Sequence, residues 1–327
     1  MSGTPTTTRA HALAPPMLLA LVVLLGGCDR EVPYRYENMT RKDAYEEADT
    51  ALRYVHLRTF DAGVGDVRGI AIDGSDRIAL VGSSGLRVLD ADGTERKRWD
   101  VPADARSVAV ADDGTVFVAC KKEVLPFSAD GRPLVPLRPT GDGSIGHATS
   151  VVVHGSNLLV ADFDKLCIHR YDLGGGFIND IGKRDAAAGV DGLIAPNPFL
   201  DMVVDAAGKL IVTNPQFLRV ETYDLKGGPP EKTFGESGTV KQGFSGCCNP
   251  SNVAVTRDGY VVTAEKGQYA RVKVYDRDGK MLAYIPPTHF PGNPKGMDLA
   301  VDSENRIYVT YPVKNTVMVF ERKETKP

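Results

Sequence analysis

The feature that most constrains the fold of this chain is a sequence unit that occurs six times. The six copies occupy residues 67–93, 105–131, 148–175, 199–227, 250–279 and 296–323. The positions taken as equivalent, whose spacings are 38, 43, 51, 51 and 46 residues, are Gly69, Ser107, Ser150, Asp201, Asn252 and Asp298. Self-similarity at periods of this length is typical of solenoids, propellers and other repeat arrays.

Each unit reads as a set of short strands separated by turn residues. In the fifth unit the strands are NVAVT, YVVTAE, RVKVYD and KMLAYI, with Asp-Gly turns between them. An open stack would leave long unpaired edges, so six four-stranded units predict an all-β, six-bladed β-propeller. The sixth unit ends after its third strand, and VHLRTF at 55–60 can supply the missing outer strand and close the ring.

The repeated phrase resembles the NHL repeat. The match rests on a first strand and Asp-Gly turn, a V-A-D-like second strand, and an R-V-x-V-Y-D-x-D-G third strand and turn, as in RVKVYDRDG. It covers about 67–323 and is looser in the second unit, where EVLPFSADG replaces the Arg-bearing strand. The resemblance implies six blades around a central channel and, in most such proteins, a role in interaction.

The N-terminal segment predicts export. Residues 17–25 are nine apolar residues, which as a helix would rise only about 14 Å and could not span a bilayer. A short apolar run ahead of small residues is typical of a secretory signal peptide. Leu25-Gly26-Gly27-Cys28 also resembles the lipobox of bacterial lipoproteins, which implies cleavage before Cys28 and a diacylglyceryl thioether with a further acyl chain such as palmitate on that residue. The alternative is an ordinary cleaved signal peptide with an incidental cysteine.

Asp29 directly after the lipobox resembles the signal that retains a lipoprotein in the inner membrane. We therefore expect an exported, lipid-anchored protein on the periplasmic side of the cell membrane. RKDAYEEADTALRYV at 41–55 has helical composition and predicts a short helix. The predicted organisation is a signal peptide at 1–27, an anchored linker with the helix at 28–54, the propeller at 55–323 and a tail at 324–327.

Composition excludes several function classes. The formal net charge is -3, and removal of residues 1–27, with one Arg and no other charged residue, changes it to -3 - 1 = -4. Without a basic excess, nucleic acid is not an expected partner. No Cys-x-x-Cys-His occurs, which excludes covalent c-type haem, and the cysteines are too few for a disulfide scaffold. We expect a monomer.

Candidate site residues come from the loops on one face of the predicted propeller. In NHL-like propellers this face carries the loops that lead into the innermost strands (lead-in loops) and the turns between second and third strands. Such loops converge over a rigid scaffold. The side chains predicted to face a ligand there are His147, Asp162, Asn214, Glu265, Lys266, His289, Lys295 and Tyr311.

For three of these residues a structural role is the competing interpretation. Asp162, Asn214 and Glu265 follow second strands, where an acceptor commonly binds neighbouring backbone or the arginine of the next strand, here Arg219 or Arg271.

The lead-in loop of the fifth unit contains the adjacent pair Cys247-Cys248. Three interpretations stand: two thiols that pack a loop, a strained vicinal disulfide, or soft ligands for a metal or a redox reaction. Cys120 and Cys167 fall in or beside strands and are expected in the core. Structural roles are also expected for His56, His154 and His169.

Three functional hypotheses follow. The first is a membrane-anchored module that binds a protein, a peptide or a glycan through its channel face. The second is an enzyme, because the fold resembles peptidyl-amidoglycolate lyases with a zinc held by histidines and lactonases with a calcium held by Glu, Asn and Asp. In that case His147 and His289 would be metal ligands, Asp162 or Glu265 an oxygen ligand and Tyr311 a base.

The third hypothesis is a redox accessory that uses Cys247-Cys248. No cofactor is predicted from the residues alone; zinc or calcium would follow only from the enzyme hypothesis.

Overall fold

The computed structural model describes residues 50–238, 243–246 and 248–323, together with residues 1 and 3. The signal peptide, Cys28, Asp29, residues 41–49 of the predicted helix, Cys247 and the tail lie outside the described residues. Where that helix was expected to end, Arg53 and Tyr54 instead begin a strand, because they pair with Lys323 and Arg322. No helix in the described part of the chain is both long and apolar enough to cross a membrane.

The regular secondary structure of the described residues is almost entirely β-strand. In chain order the strands are β1 (Arg53–Asp61), β2 (Val67–Ile72), β3 (Ile78–Gly82), β4 (Gly85–Leu89), β5 (Glu95–Trp99), β6 (Ser107–Val110), β7 (Val116–Cys120), β8 (Glu123–Phe127), β9 (Ala148–His154), β10 (Asn157–Asp162), β11 (Cys167–Asp172), β12 (Phe177–Ile181), β13 (Met202–Val204), β14 (Leu210–Asn214), β15 (Arg219–Tyr223), β16 (Lys232–Phe234), β17 (Asn252–Val255), β18 (Val261–Glu265), β19 (Arg271–Tyr275), β20 (Met281–Ile285), β21 (Leu299–Val301), β22 (Ile307–Tyr311) and β23 (Thr316–Lys323). Three single-turn 3₁₀ helices span Gly141–Gly143, Pro215–Phe217 and Pro287–His289.

These strands form six antiparallel sheets, one for each repeat, and confirm the predicted six-bladed propeller. Blade 1 is β2–β5, blade 3 is β9–β12, blade 4 is β13–β16 and blade 5 is β17–β20. Blade 6 has the order β1-β23-β22-β21, so the N-terminal strand closes the ring as its outer strand. This is the closure that the sequence predicts from 55–60.

Blade 2 departs from the expected four strands. It has a three-stranded sheet, β6-β7-β8, and its outer segment makes only the isolated bridges Val124–Leu137 and Phe127–Pro133. That segment reads PLVPLRP, and proline has no N–H with which to extend a ladder. The prolines therefore reduce the fourth strand of blade 2 to two bridges.

The core lies between the blades. Six clusters of buried apolar residues are found in the described residues, and each joins two neighbouring blades around the ring. In β10, for example, Leu158 and Val160 pack towards blade 2 while Leu159 and Ala161 pack towards blade 4. Because successive strand residues point to opposite faces, the middle strands are apolar on both sides.

Asp-initiated turns hold many of the hairpins. Asp205 accepts hydrogen bonds from the backbone N–H of Ala207 and Lys209, and Asp302 does the same for Glu304 and Arg306. These turns follow the innermost strands and lie on the face opposite the lead-in loops. The main role of these repeated Asp residues is therefore to stabilise the turns.

Candidate functional site

The innermost strands enclose a central channel with a cavity of about 420 Å³. Its walls come from the first strands of all six blades and extend to the turns that follow them, which contribute Gly74, Asp112, His154, Ala206 and Arg257. None of the eight side chains predicted from the sequence lines this cavity. Instead, it contains residues from the equivalent positions used to align the six repeats.

Those equivalent positions hold neighbouring blades together. Ser107 Oγ accepts a hydrogen bond from Val151 N, 3.2 Å away, and the acceptors in blades 4 and 6 are carboxylates. Asp201 Oδ2 accepts from Val253 N at 2.9 Å, and Asp298 Oδ2 accepts from Ile70 N at 2.8 Å.

Gly69 occupies the same position in blade 1. A Cβ there would lie 2.9 Å from both Arg106 O and Ser107 Cα, so the close approach of blade 2 requires glycine.

Asp201 and Asp298 are joined through Asn252. Asn252 Nδ2 donates to Asp298 Oδ1 at 3.2 Å, and the same side chain hydrogen-bonds Asp201. Asn252 Oδ1 is buried and has no hydrogen-bond partner. Two carboxylates, from blades 4 and 6, therefore line the channel and are bridged by the amide of Asn252 from blade 5.

The surroundings of this pair disfavour two negative charges. Asp201 is only 6% exposed. Asp298 is half-buried and lines the channel. Burial raises the pKa of Asp201, and burial together with the charge of Asp201 raises the pKa of Asp298 well above its ordinary value. Repulsion of this kind is relieved by a proton or by a cation.

On the face of the lead-in loops, Asp162 fixes the loop of blade 3. Its carboxylate accepts from the backbone N–H of Gly146, His147 and Lys165 at 2.6, 3.0 and 3.2 Å. Burial alone would raise the pKa of this carboxyl, but hydrogen bonds from His169 and the backbone lower it. Asp162 thus makes the backbone contacts expected of a structural acceptor.

Asn214 and Glu265 have the same place in blades 4 and 5. Asn214 Oδ1 accepts from Ile194 N, and its Nδ2 donates to Gly192 O and Glu221 Oε1. Its expected partner, Arg219, binds Glu221 instead, because Glu221 lies two residues along the same strand.

Glu265 accepts two hydrogen bonds of 2.7 Å from the expected Arg271 and lies 3.0 Å from Lys273 Nζ. These three side chains are at most 1% exposed. Burial lowers the pKa of Lys273 to about 8, and the charges of Arg271 and Lys273 hold the pKa of Glu265 below its ordinary value against the effect of burial.

The two candidate metal-binding histidines lie in different surroundings. His147 packs edge-on against Phe163, and its Nδ1 lies 3.9 Å from Asp164 Oδ1. His289 packs against His56 and Phe320, in the outer strands of blade 6. Burial lowers the pKa of both rings. The structure does not bring these two histidines together around a common metal position.

The remaining predicted residues are spread over the same face. Lys266 Nζ donates to Asn197 Oδ1 and to the backbone oxygen of Cys248, at 3.0 and 2.9 Å. Tyr311 is buried and donates its hydroxyl to Pro291 O, and burial raises its pKa. Lys295 is exposed. Cys248 is half-buried in a loop that ends at the cis peptide Asn249–Pro250, and its neighbour Cys247 is not described.

One cluster of three Cys, His and Asp side chains in the described residues is close enough to hold a metal ion. Potential ligand atoms of Cys167, His169 and Asp180 lie within 4.8 Å of one another. His147 and His289 do not belong to this group. The sequence predicts Cys167 in the core and a structural role for His169, and both side chains are fully buried. Their convergence depends on the pairing of β11 with β12, which sequence periodicity does not show.

Comparisons with known proteins identify the fold. No protein-family profile matches the sequence, and no curated protein matches it. A gluconolactonase from Xanthomonas campestris superposes with a TM-score of 0.59 at 14% identity, over 85% of this chain and 97% of that one. A streptogramin B lyase gives 0.56 at 9% identity, over 83% and 97%. The WD40 propeller domain of Doa1 gives 0.55 at 13% identity, over 82% and 97%. At these identities the likeness is one of fold.

Proposed function

We propose that this protein is a cation-dependent propeller enzyme that opens a small lactone or ester bound in its central channel. The observation that supports the proposal is the meeting of Asp201, Asn252 and Asp298 at the channel. Carboxylate and amide oxygens are the donors preferred by hard divalent cations such as Ca²⁺ and Mg²⁺. The resemblance to lactonases implies Glu, Asn and Asp as calcium ligands, and this set differs from it by a second Asp in place of Glu; one structural neighbour is a gluconolactonase.

The residues present fit a divalent cation. Two desolvated carboxylates that repel one another destabilise the folded protein unless a positive charge compensates them. Asn252 Oδ1 also has no hydrogen-bond donor in contact with it. Backbone N–H groups from blades 5 and 1 fix the orientation of Asp201 and Asp298. In this proposal Asp201 and Asp298 would hold the cation, and the amide of Asn252, whose Nδ2 donates to Asp298 here, would turn so that Oδ1 faces the ion.

A bound cation would supply Lewis-acid polarisation of a carbonyl and activation of a water molecule. The protein contributes a rigid ring of strands that excludes most solvent from the carboxylates. The cavity of about 420 Å³ is large enough for a small organic substrate. Its wall is built from all six blades, so substrate selectivity would come from the turns around the channel.

The proposal is tested by calorimetric titration of metal-free protein with Ca²⁺, Mg²⁺ and Mn²⁺, followed by assays of lactone and ester hydrolysis with and without chelator. We expect about one bound cation per chain, turnover that requires it, and loss of both in Asp201→Asn and Asp298→Asn. Asp278→Asn, in which the replaced side chain is 85% exposed in blade 5, is the matched control and should bind normally. Absence of cation binding would favour the non-catalytic binding module and a shared proton between the two carboxyls.

We further propose that Cys28 carries the lipid anchor and that the propeller works at the periplasmic side of the inner membrane. The support is the lipobox-like sequence before Cys28 and the aspartate after it. Metabolic labelling with a palmitate analogue should modify the wild-type chain and not Cys28→Ser, and separation of inner and outer membranes tests the location. Labelling of Cys28→Ser, or release of the wild-type chain as soluble protein, would contradict the anchor.

A further inference from the structure

In blades 3, 4 and 5 the last residue of the second strand hydrogen-bonds the lead-in loop, and the side chains around it differ in blade 3 from those in blades 4 and 5. In blades 3, 4 and 5 the last residue of the second strand pairs with the first residue of the third strand: Asp162 with Cys167, Asn214 with Arg219, and Glu265 with Arg271. Two residues further along the third strand stand His169, Glu221 and Lys273. Each of these three blades therefore has its own polar cluster at the same topological position.

In blades 4 and 5 this cluster contains its own cations. Glu221 pairs with Arg219, and Glu265 pairs with Arg271 and Lys273. Blade 3 has a cysteine where the other two have arginine, and it has two carboxylates instead of one. His169 Nε2 lies 3.2 Å from Asp162 Oδ2 and its Nδ1 lies 2.7 Å from Asp180 Oδ1. Blade 3 lacks the arginine that pairs with the carboxylate in the other two blades.

The atoms of this cluster are arranged as metal ligands and a supporting carboxylate. Cys167 Sγ lies 3.8 Å from His169 Nδ1 and 4.0 Å from its Nε2, and Asp180 Oδ1 lies on the Nδ1 side of the ring at 2.7 Å. The opposite ring nitrogen faces Asp162, whose carboxylate is itself fixed by backbone N–H groups. A metal-binding histidine commonly donates its other N–H to a carboxylate in this way.

We propose that Cys167, His169 and Asp180 bind a zinc ion in blade 3, with Asp162 as the residue that orients His169. Thiolate, imidazole and carboxylate together suit Zn²⁺, because a carboxylate is a poor ligand for Cu(I) and a thiolate a poor one for Mg²⁺ or Ca²⁺. On binding, the S–H proton of Cys167 is released to solvent and the proton of His169 is kept on Nε2, facing Asp162, so that Sγ and Nδ1 are free to be ligands.

Charge balance also supports zinc. With Cys167 as a thiolate and Asp162 and Asp180 ionised, the cluster has three negative charges. Zn²⁺ supplies two positive charges and Lys183, 3.2 Å from Asp180 Oδ2, supplies the third. The bound ion would thus replace the cations that blades 4 and 5 provide as arginine and lysine.

The three side chains leave one position of a tetrahedral zinc, but the site is buried too deeply for a substrate to reach it, so the ion would be structural. The side chains of Cys167 and His169 are fully buried, and that of Asp180 is 15% exposed. Tyr171 and Phe177 pack around the imidazole, and the Tyr171 hydroxyl donates to Gly143 O in the lead-in loop. Zinc would fasten β11 to the outer strand β12 beneath that loop.

The test uses the purified full-length protein, loaded with Zn²⁺, dialysed against zinc-free buffer and analysed for zinc by mass spectrometry. We expect about one zinc per chain, and the Co²⁺-substituted protein should show the thiolate-to-cobalt charge-transfer absorption of a tetrahedral site. Cys167→Ser should retain less than about a tenth of the zinc and lose this absorption. Asp180→Asn, at a partly exposed outer-strand position, should lose most of the zinc while retaining the far-ultraviolet circular dichroism of the wild type.

Three controls separate this site from others in the chain. Cys120→Ser removes another buried thiol, the double variant Cys247→Ser/Cys248→Ser removes the adjacent pair, and Asp298→Asn alters the channel. All three should retain about one zinc. A wild-type chain without tightly bound zinc, zinc retained by Cys167→Ser, or a cobalt form without thiolate absorption would each overturn the proposal.

Discussion

Neutralising Glu265 should destabilise the propeller far more than neutralising an exposed glutamate. The carboxylate is 1% exposed and is the counter-charge to Arg271 and Lys273, both 0% exposed, at 2.7 and 3.0 Å. It also accepts from Ser245 N in the loop that leads to Cys248. Glu265→Gln leaves two buried cations without a negative partner, which costs about 3–5 kcal/mol. For a domain of this size we expect a melting temperature lower by roughly 6–20 °C.

The pH dependence of the Glu265→Gln variant provides a second check. Burial already lowers the pKa of Lys273 to about 8, and removal of Glu265 takes away a charge that raises it. At pH values between the pKa of Lys273 in the folded protein and its pKa in the unfolded chain, the unfolded state binds more protons than the folded state. Stability therefore rises with pH as Lys273 loses its proton. The deficit of the variant should be largest between about pH 4.5 and neutrality; it should shrink above neutrality and also in stronger acid, where Glu265 of the wild type is protonated.

The matched control is Glu95→Gln. Glu95 pairs with Arg87 and Arg98, but its side chain is 36% exposed, so the loss should stay below about 1 kcal/mol. Thermal melts of the three proteins from acid to mildly alkaline pH measure both effects. Equally small decreases in melting temperature for Glu265→Gln and Glu95→Gln would refute the argument that a desolvated ion cluster stabilises the loop of blade 5.

Three further outcomes are expected. In the cation-free wild type, Asp298 should make stability fall as pH rises above about 4, because a carboxyl whose pKa is raised in the folded state binds more protons there than in the unfolded chain. Asp201→Asn should make this pH dependence shallower, since the charge of Asp201 raises the pKa of Asp298. An unchanged pH dependence would count against the coupling of the two carboxyls. Deletion of residues 1–61 should expose the edge of β23 and give aggregates or dimers in light scattering, whereas a stable monomer would show that β1 is dispensable. Cys120 and Cys167, whose pKa values burial raises to about 12, should resist iodoacetamide at mildly alkaline pH in the folded protein and react fully in denaturant, as measured by peptide mass spectrometry.

The architecture was predictable from the sequence because its causes are local and repeated. Each unit carries its own turn residues and apolar strands, and the sixth unit lacks an outer strand that 55–60 can supply. The structural acceptor role of Asp162 and Glu265 was also predictable, since an acidic residue at the end of a second strand is close to backbone donors of the loop beside it. Blade 2 differed because prolines remove the donors of its outer strand.

The channel site was not predictable from the same information. Asp201, Asn252 and Asp298 are separated by 51 and 46 residues, and they meet only because the ring brings blades 4, 5 and 6 around one axis. The pattern did mark their positions as equivalent, but equivalence within a repeat does not show which side chains touch. The cluster of blade 3 was missed for a related reason, since Asp180 joins His169 only through the register of β12.

The most direct test of the channel proposal is anomalous scattering from crystals of the metal-free protein soaked with Mn²⁺. The account predicts a manganese peak bounded by the carboxylates of Asp201 and Asp298, with a clear decrease of that peak in Asp298→Asn. A channel without such a peak, in which the two carboxyls share a hydrogen bond, would contradict it.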